Sequence, residues 1–167
     1  ILQDTVGGLA TGDQSSTNYT LLAGFQSLSE HPTFTFSVSS ATVDFGQLSV
    51  SSVSSGSHTI STSTNAPLGF TTVVTSDGEL SAGLSTIDPV ADGSVTAGSE
   101  EYGVSLVGTD SAFADDQAPT TSGLTVASRS SWKNGSTTTV TYKASITNGT
   151  AGGSYQQVLT YVSTGNF

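Results

Sequence analysis

The sequence contains no cysteine and no methionine, and only 10 % of its 167 residues are charged. Without cysteine, the chain has neither a disulfide framework nor a thiolate metal site. Three residues are basic (Arg129, Lys133 and Lys143), and the net charge is −10. This balance argues against nucleic-acid binding, which needs clustered Lys and Arg to neutralise phosphates, and it disfavours anionic membrane surfaces.

Long apolar runs are also missing, since no stretch approaches the roughly 18 residues that a membrane span needs. We therefore expect no membrane span. The chain begins at Ile1 rather than at methionine. We expect a processed N-terminus from which a signal peptide has been removed, and hence an extracellular or cell-surface location. An acidic, Lys-poor, Ser/Thr/Gly-rich composition is typical of secreted microbial surface proteins.

Catalytic signatures are scarce. The only imidazoles are those of His31 and His58, and both are expected at turns or on the surface. No Gly-x-Ser-x-Gly nucleophile elbow is present. The sequence therefore predicts a protein that is not an enzyme, has no catalytic residues and requires no organic cofactor.

What the sequence does contain is a series of alternating strand patterns, whereas sustained helical periodicity is absent. In "TFTFSVS", for example, Phe34, Phe36 and Val38 share one face. The polar stretch 57–64 is the weakest pattern. The predicted strands are 33–39, 41–50, 57–64, 68–76, 101–108, 122–132, 136–146 and 154–164. About nine short strands separated by Gly/Ser/Asp/Pro turns predict an all-β fold, a single antiparallel β-sandwich of Ig-like or jelly-roll type.

The last third of the chain predicts an antiparallel meander of three strands. Asn134-Gly135 lies between two alternating runs, which is a strong hairpin signal because both residues tolerate positive φ. The final run is apolar on both faces, so it is either central in a sheet or covered by a partner. Its apolar residues are Val158, Leu159, Tyr161 and Val162.

Residues 1–28 are predicted to form an extended N-terminal arm ahead of a β-sandwich domain at 29–167. The first half of the arm has scattered apolar residues, whereas "SSTNYTLLAGFQSL" (15–28) has an alternating apolar face. Such an arm can complete the sheet of a neighbouring subunit or provide the first strand of its own domain, and the sequence leaves both open. The candidate assembly residues of the arm are Ile1, Leu2, Val6, Leu9, Tyr19, Leu21 and Phe25.

Three further kinds of site are considered. Acidic loop residues can bind calcium, or they can simply be solvated; the candidates are Asp88, Asp92, Asp110, Asp115 and Asp116. Asn-x-Ser/Thr sequons at Asn18, Asn134 and Asn148 are candidates for glycosylation, although the last two also fit turns. An aromatic platform of Trp132, Tyr102, Tyr155 and Tyr161 can bind a glycan, or the tyrosines can serve strand packing.

Several segments together carry a resemblance: "STNYTLLAGFQSL", "FTFSVSSATVDFGQLS", "NAPLGFTTVV" and "GSYQQVLTYVSTGNF". They resemble secreted bacterial surface proteins in which a Ser-x-Asn-Tyr-x-Leu-x-x-Gly-Phe-type segment precedes an Ig-like sandwich. More distantly, the chain is similar to donor-strand pilins and camelysin-like fibre subunits, in which an N-terminal extension enters the next subunit.

This resemblance implies a structural subunit of an extracellular filament, pilus or surface layer. Its partners would be copies of itself, joined head to tail through the arm alongside the C-terminal strand 154–164. The alternative expectation is a glycan- or calcium-binding β-sandwich module of a surface protein.

Overall fold

The computed structural model describes residues 12–16, 19–23 and 31–167, the first two stretches by their backbone only. The chain divides into two compact units, residues 1–32 and residues 33–167. In the first unit, β1 (Gly12–Ser16) and β2 (Tyr19–Ala23) form an antiparallel pair in which Gln14 lies opposite Leu21. Within the predicted strand region 15–28, the described backbone thus comprises the last two residues of β1, Ser15 and Ser16, and the whole of β2, which pairs with β1. Ile1, Leu2, Val6, Leu9 and Phe25 lie outside the described residues.

The second unit is all-β, with nine strands and no helix among its described residues. They are β3 (Phe34–Val38), β4 (Ser54–Thr64), β5 (Phe70–Ser76), β6 (Leu80–Ala82), β7 (Ser85–Ile87), β8 (Glu101–Gly108), β9 (Leu124–Arg129), β10 (Lys133–Ser145) and β11 (Leu159–Gly165). Every strand pair is antiparallel. One sheet has the order β3-β4-β10-β8, a second has the order β11-β5-β9, and β6 pairs with β7. None of the described residues forms a helix long and apolar enough to cross a membrane.

Both large sheets contribute to one hydrophobic cluster. Ile60 and Val140 come from the four-stranded sheet, and Phe70, Val74 and Val126 come from the three-stranded sheet; each is at most 2 % exposed. Burying each such side chain contributes about 1.5–3 kcal/mol, so this shared cluster is the main source of stability.

The polar stretch 57–64 is not a marginal strand, because it forms most of β4, which lies between β3 and β10. Its alternation puts His58, Ile60, Thr62 and Thr64 in the interior. Threonine suits this position because its branched side chain packs on a pleated surface, and Thr64 also satisfies its hydroxyl by donating to the carbonyl of Thr33.

The predicted meander of the last three strands is wrong. Strand β9 pairs with β5, β10 pairs with β4 and β8, and β11 pairs with β5, so the chain changes sheets between these strands. The Asn134-Gly135 signal lies inside β10 at an irregularity between Lys133 and Ser136. Gly135 has φ 74° and donates its N–H to Ser63 Oγ at 2.7 Å. The positive φ that we predicted for a hairpin turn therefore belongs to a bulge within β10.

The predicted strand at 41–50 is also absent, apart from an isolated bridge between Ser49 and Ser52. Asp44 accepts a hydrogen bond from the N–H of Gly46 at 2.8 Å, and Gly46 has φ 63°. This local turn interrupts the strand. Val43 and Phe45 nevertheless pack against the core, so the apolar alternation serves a coil segment.

Candidate functional site: the open side of the second unit

Strand β11 is an edge strand whose outer side has no backbone partner among the described residues. On its inner side Val158 accepts from the N–H of Asp77, and Asn166 donates to Gly69. Since hydrogen-bonding groups alternate along an antiparallel strand, the even-numbered residues bond to β5. The N–H and C=O groups of Leu159, Tyr161, Ser163 and Gly165 therefore face outward.

Strand β3 is the corresponding edge of the four-stranded sheet. Thr33 and Ser39, which flank it, make backbone bonds to the β4 side. The same alternation leaves the backbone groups of Phe34, Phe36 and Val38 facing outward, again without a backbone partner in the described part of the chain. A Cβ atom built on Gly165 of β11 would lie 3.0 Å from the ring of Phe34 in β3, so β3 and β11 lie on the same side of the unit.

On the opposite side, both edges are covered by the chain itself. Segment 88–90 pairs with Tyr102 in β8 through bonds of 2.8 and 2.9 Å, and Gln117 pairs with Val104. Segment 110–112 pairs with β9 through bonds to Val126 and Ser128. We call this the closed side and the β3/β11 side the open side.

Two ion pairs fasten the closed side. Asp110 accepts from Arg129 at 2.9 Å and from Ser136, and Asp116 accepts from Lys143 at 2.7 Å. Burial alone would raise the pKa of Asp110, but the hydrogen bonds from Ser136 and Arg129 outweigh it and hold this pKa below its ordinary value.

The open side contains a cleft of about 1210 Å³ between the two sheets. It is several times larger than the roughly 150 Å³ cavity left by removing one large side chain, so it has room for a chain segment. Its apolar lining comes from strands of both sheets, from β6 and from the coil segments 39–48 and 146–157, and includes Phe36, Val43, Phe45, Leu80, Val104, Ile146 and Leu159.

An aromatic cluster lies in this cleft. The hydroxyls of Tyr142 and Tyr161 are 2.6 Å apart and join the two sheets. The ring of His58 stands edge-on to both, with centroid distances of 5.4 and 5.5 Å. Burial lowers the pKa of His58 and raises the pKa values of Tyr142 and Tyr161, so all three side chains are neutral at pH 7. The expectation that His58 is a turn or surface residue was wrong, because the alternation of β4 places it inside.

The predicted C-terminal assembly residues divide between two faces of β11. Leu159 and Tyr161 line the cleft, whereas Val158 and Val162 are 63 % and 54 % exposed on the outer face. Among the described strands β11 lies at the edge of its sheet and not in a central position.

The acidic candidates are dispersed. Asp110 and Asp116 are buried in the ion pairs described above, and Asp92 accepts from the N–H of Ser94. No group of three or more metal-ligating His, Asp or Glu side chains occurs within residues 12–16, 19–23 and 31–167.

The remaining candidates are placed as follows. Asn134 and Asn148 are exposed, while Asn18 lies outside the described residues. Trp132 is exposed away from the cleft, whereas Tyr102, Tyr155 and Tyr161 line it. The predicted aromatic platform is thus not a single outer surface.

Compared with known proteins, this chain matches no protein-family model, no curated protein and no solved structure.

Proposed function

We propose that this chain is a structural subunit of an extracellular filament, pilus or surface layer. Its copies assemble head to tail, with the N-terminal arm of one copy adding a strand at the open side of the next. The observation that carries this proposal is the pair of unpaired edges, β3 and β11, on either side of an apolar cleft. An incoming strand would pair with the outward backbone groups of β11 while its alternate side chains fill the cleft.

We also propose that the second unit is one β-sandwich of Ig-like or jelly-roll type. The support is the single hydrophobic cluster to which both large sheets contribute. An incoming strand would extend the core of this sandwich as well as its sheet.

Residues 1–11 are the proposed donor, since Gly12–Ser16 are already paired with Tyr19–Ala23. A contact between different surfaces of two copies propagates into a fibre when the rotation between copies does not close a ring, and a fibre is the outcome proposed here. The same contact uses no catalytic group, in keeping with a structural role.

Negative-stain microscopy and sedimentation velocity of the full chain and of a variant lacking residues 1–11 test this proposal. We expect filaments from the full chain and monomers from the variant, with the melting temperature of the second unit unchanged. Dispersed monomers of the full chain at every concentration would refute assembly. Normal filaments from the variant would exclude residues 1–11 as the donor.

The second candidate function is a glycan- or calcium-binding module of a surface protein. It is favoured by the four tyrosines that line the cleft, since aromatic faces can stack on sugar rings. A module of this kind stays monomeric at high concentration, and an oligosaccharide or calcium raises its melting temperature by mass action. Thermal melts with each ligand, and with EDTA as a control for calcium, separate it from the filament subunit.

A further inference from the structure

One buried side-chain nitrogen in the cleft has no hydrogen-bond partner within the described part of the chain. His58 is 8 % exposed, and its Nε2 atom is buried and unpaired. The other buried atom in this condition, Thr138 Oγ1, belongs to a residue that does not line the cleft. Since burying an unpaired polar atom is costly, the unpaired Nε2 points to a partner that arrives with the occupant of the cleft.

Among the described residues, no group near His58 supplies the missing hydrogen bond to Nε2. From β10 and β11 it faces the rings of Tyr142 and Tyr161, whose hydroxyls are bonded to each other. Asp44, from the coil segment, and Lys143, from β10, also line the cleft, but burial is the only cause of the lowered pKa of His58. The ring is therefore neutral at pH 7, and a neutral imidazole nitrogen either donates or accepts one hydrogen bond, depending on the tautomer.

The proposed donor segment offers a matching group. In an extended strand, residues 1, 3, 5, 7 and 9 share one face, and residues 2, 4, 6, 8 and 10 share the other. The first face is uncharged, with Thr5 between Ile1 and Leu9, whereas the second carries Asp4. Since an apolar cleft disfavours a carboxylate, the first face is the one that suits it.

We infer that His58 is the polar anchor of the cleft and that its neutral ring hydrogen-bonds, through Nε2, to the hydroxyl of Thr5 from a second copy. This inference rests on the proposed function. A threonine hydroxyl can both donate and accept, so it suits either tautomer of the ring. Thr5 is the central residue of this face and the one that carries a hydroxyl, so a bond to it sets one register, whereas a bond to the amide of Gln3 would shift the strand by two residues.

Acid should weaken this contact. Filling the cleft removes His58 further from water, so the assembled state binds a proton less readily than the free subunit does. Assembly is then complete above the pKa of His58 in the free subunit, which burial already holds below the ordinary histidine value, and it weakens as the pH falls through that pKa. Protonation of carboxylates near pH 4 would reduce the repulsion between acidic subunits, which is an effect of opposite sign.

A double-mutant cycle with His58→Phe and Thr5→Val tests the anchor in the full chain. Each single variant should lower the association constant at pH 7.5 by about two- to tenfold, the effect of one hydrogen bond, and the double variant should lower it no further. Near-UV circular dichroism checks the fold. If His58→Phe does not fold, His58→Gln replaces it, together with Thr5→Val and the pH profile.

The pH profile of assembly between pH 5 and 8 gives a readout that a purely structural role of His58 would not change. Wild type and His31→Gln, which removes the other imidazole, should both lose association toward pH 5. His58→Gln should associate equally at all these values. Additive effects in the cycle, or an unchanged acid loss in His58→Gln, would overturn the inference while the filament function stands. Absence of wild-type assembly at every pH would overturn both.

Discussion

The two sides of the second unit solve the same problem in opposite ways. Both sheets must end in edge strands, and an unpaired edge is a template for association with another chain. On the closed side, short segments at 88–90, 110–112 and Gln117 pair with the edges of β8 and β9. On the open side, no described segment does this for β3 or β11. The chain can therefore cover its edges, and it leaves two of them available above the cleft.

The scarce basic residues sharpen this difference. Arg129 and Lys143 form the two ion pairs of the described residues, both with acids of the closed side, and Lys133 also lowers the pKa of Asp110. The open side is lined mainly by apolar and aromatic groups. We therefore expect changes on the closed side to alter the stability of the fold and changes on the open side to alter assembly.

The largest effect is expected from blocking the open edge with Ser163→Pro. The N–H of Ser163 faces outward, and proline removes it without removing a bond to β5. Assembly should be abolished. Ser163→Ala is the matched control, because it also loses the 2.7 Å hydrogen bond to Thr72 but keeps the N–H. If sedimentation shows equal assembly of both variants, β11 is not the acceptor.

Substitutions on the closed side should instead lower the free energy of unfolding. Asp110→Asn weakens the bonds to Arg129 and Ser136, and we expect a loss of about 1–3 kcal/mol in urea unfolding, since Arg129 is partly exposed. The exposed neighbour Asp115→Asn should change stability by less than about 0.5 kcal/mol. Filament formation by folded Asp110→Asn should be retained. A variant that is stable but does not assemble would break the proposed separation of the two sides.

A smaller effect is expected from pH on folding. The pKa of His58 is lower in the folded chain than in the unfolded chain, so the unfolded state binds more protons below about pH 6.5. The free energy of unfolding should fall as the pH drops from 7.5 to 5.5. His58→Gln should reduce this slope, and His31→Gln should not. A slope that is unchanged in His58→Gln would assign the pH dependence to other groups.

The smallest effect is expected on the outer face of β11. Val162→Thr replaces an exposed side chain with one of similar shape, so stability should change by less than about 0.5 kcal/mol. Assembly should stay within about twofold of wild type, because the proposed contact uses the edge and the cleft. A large loss of assembly would mean that the outer face is itself an interface.

Local alternation was sufficient to predict β3, β5 and β8, because in these strands Phe36, Phe70 and Val104 alternate with outward residues. It was insufficient for pairing, which depends on contacts between residues far apart in sequence. The Asn134-Gly135 signal is satisfied equally by a turn and by a bulge, and only the distant β4 and β8 decide between them. The alternating apolar residues Val43 and Phe45 likewise pack against the core, although their segment does not pair as a strand.

The cleft was less predictable than the strands. The sequence indicated that β11 is apolar on both faces, but not that it is an edge strand opposite β3. His58 was misplaced because β4 is mostly polar, and its burial depends on Tyr142 and Tyr161 arriving from two different sheets. The extent of the arm at 1–28 and its role both stay predictions.

Disulfide trapping between two differently tagged copies tests the central claim most directly. Because the sequence has no cysteine, every disulfide that forms must join the introduced cysteines. One copy carries Val162→Cys, and the other carries a cysteine at Asp4, Val6 or Gly8 of the arm. The account predicts a disulfide-linked pair of the two tags for at least one arm position, formed in the mixture before denaturation. It would be contradicted if no arm position cross-links between copies while the same two cysteines placed in one chain cross-link within it.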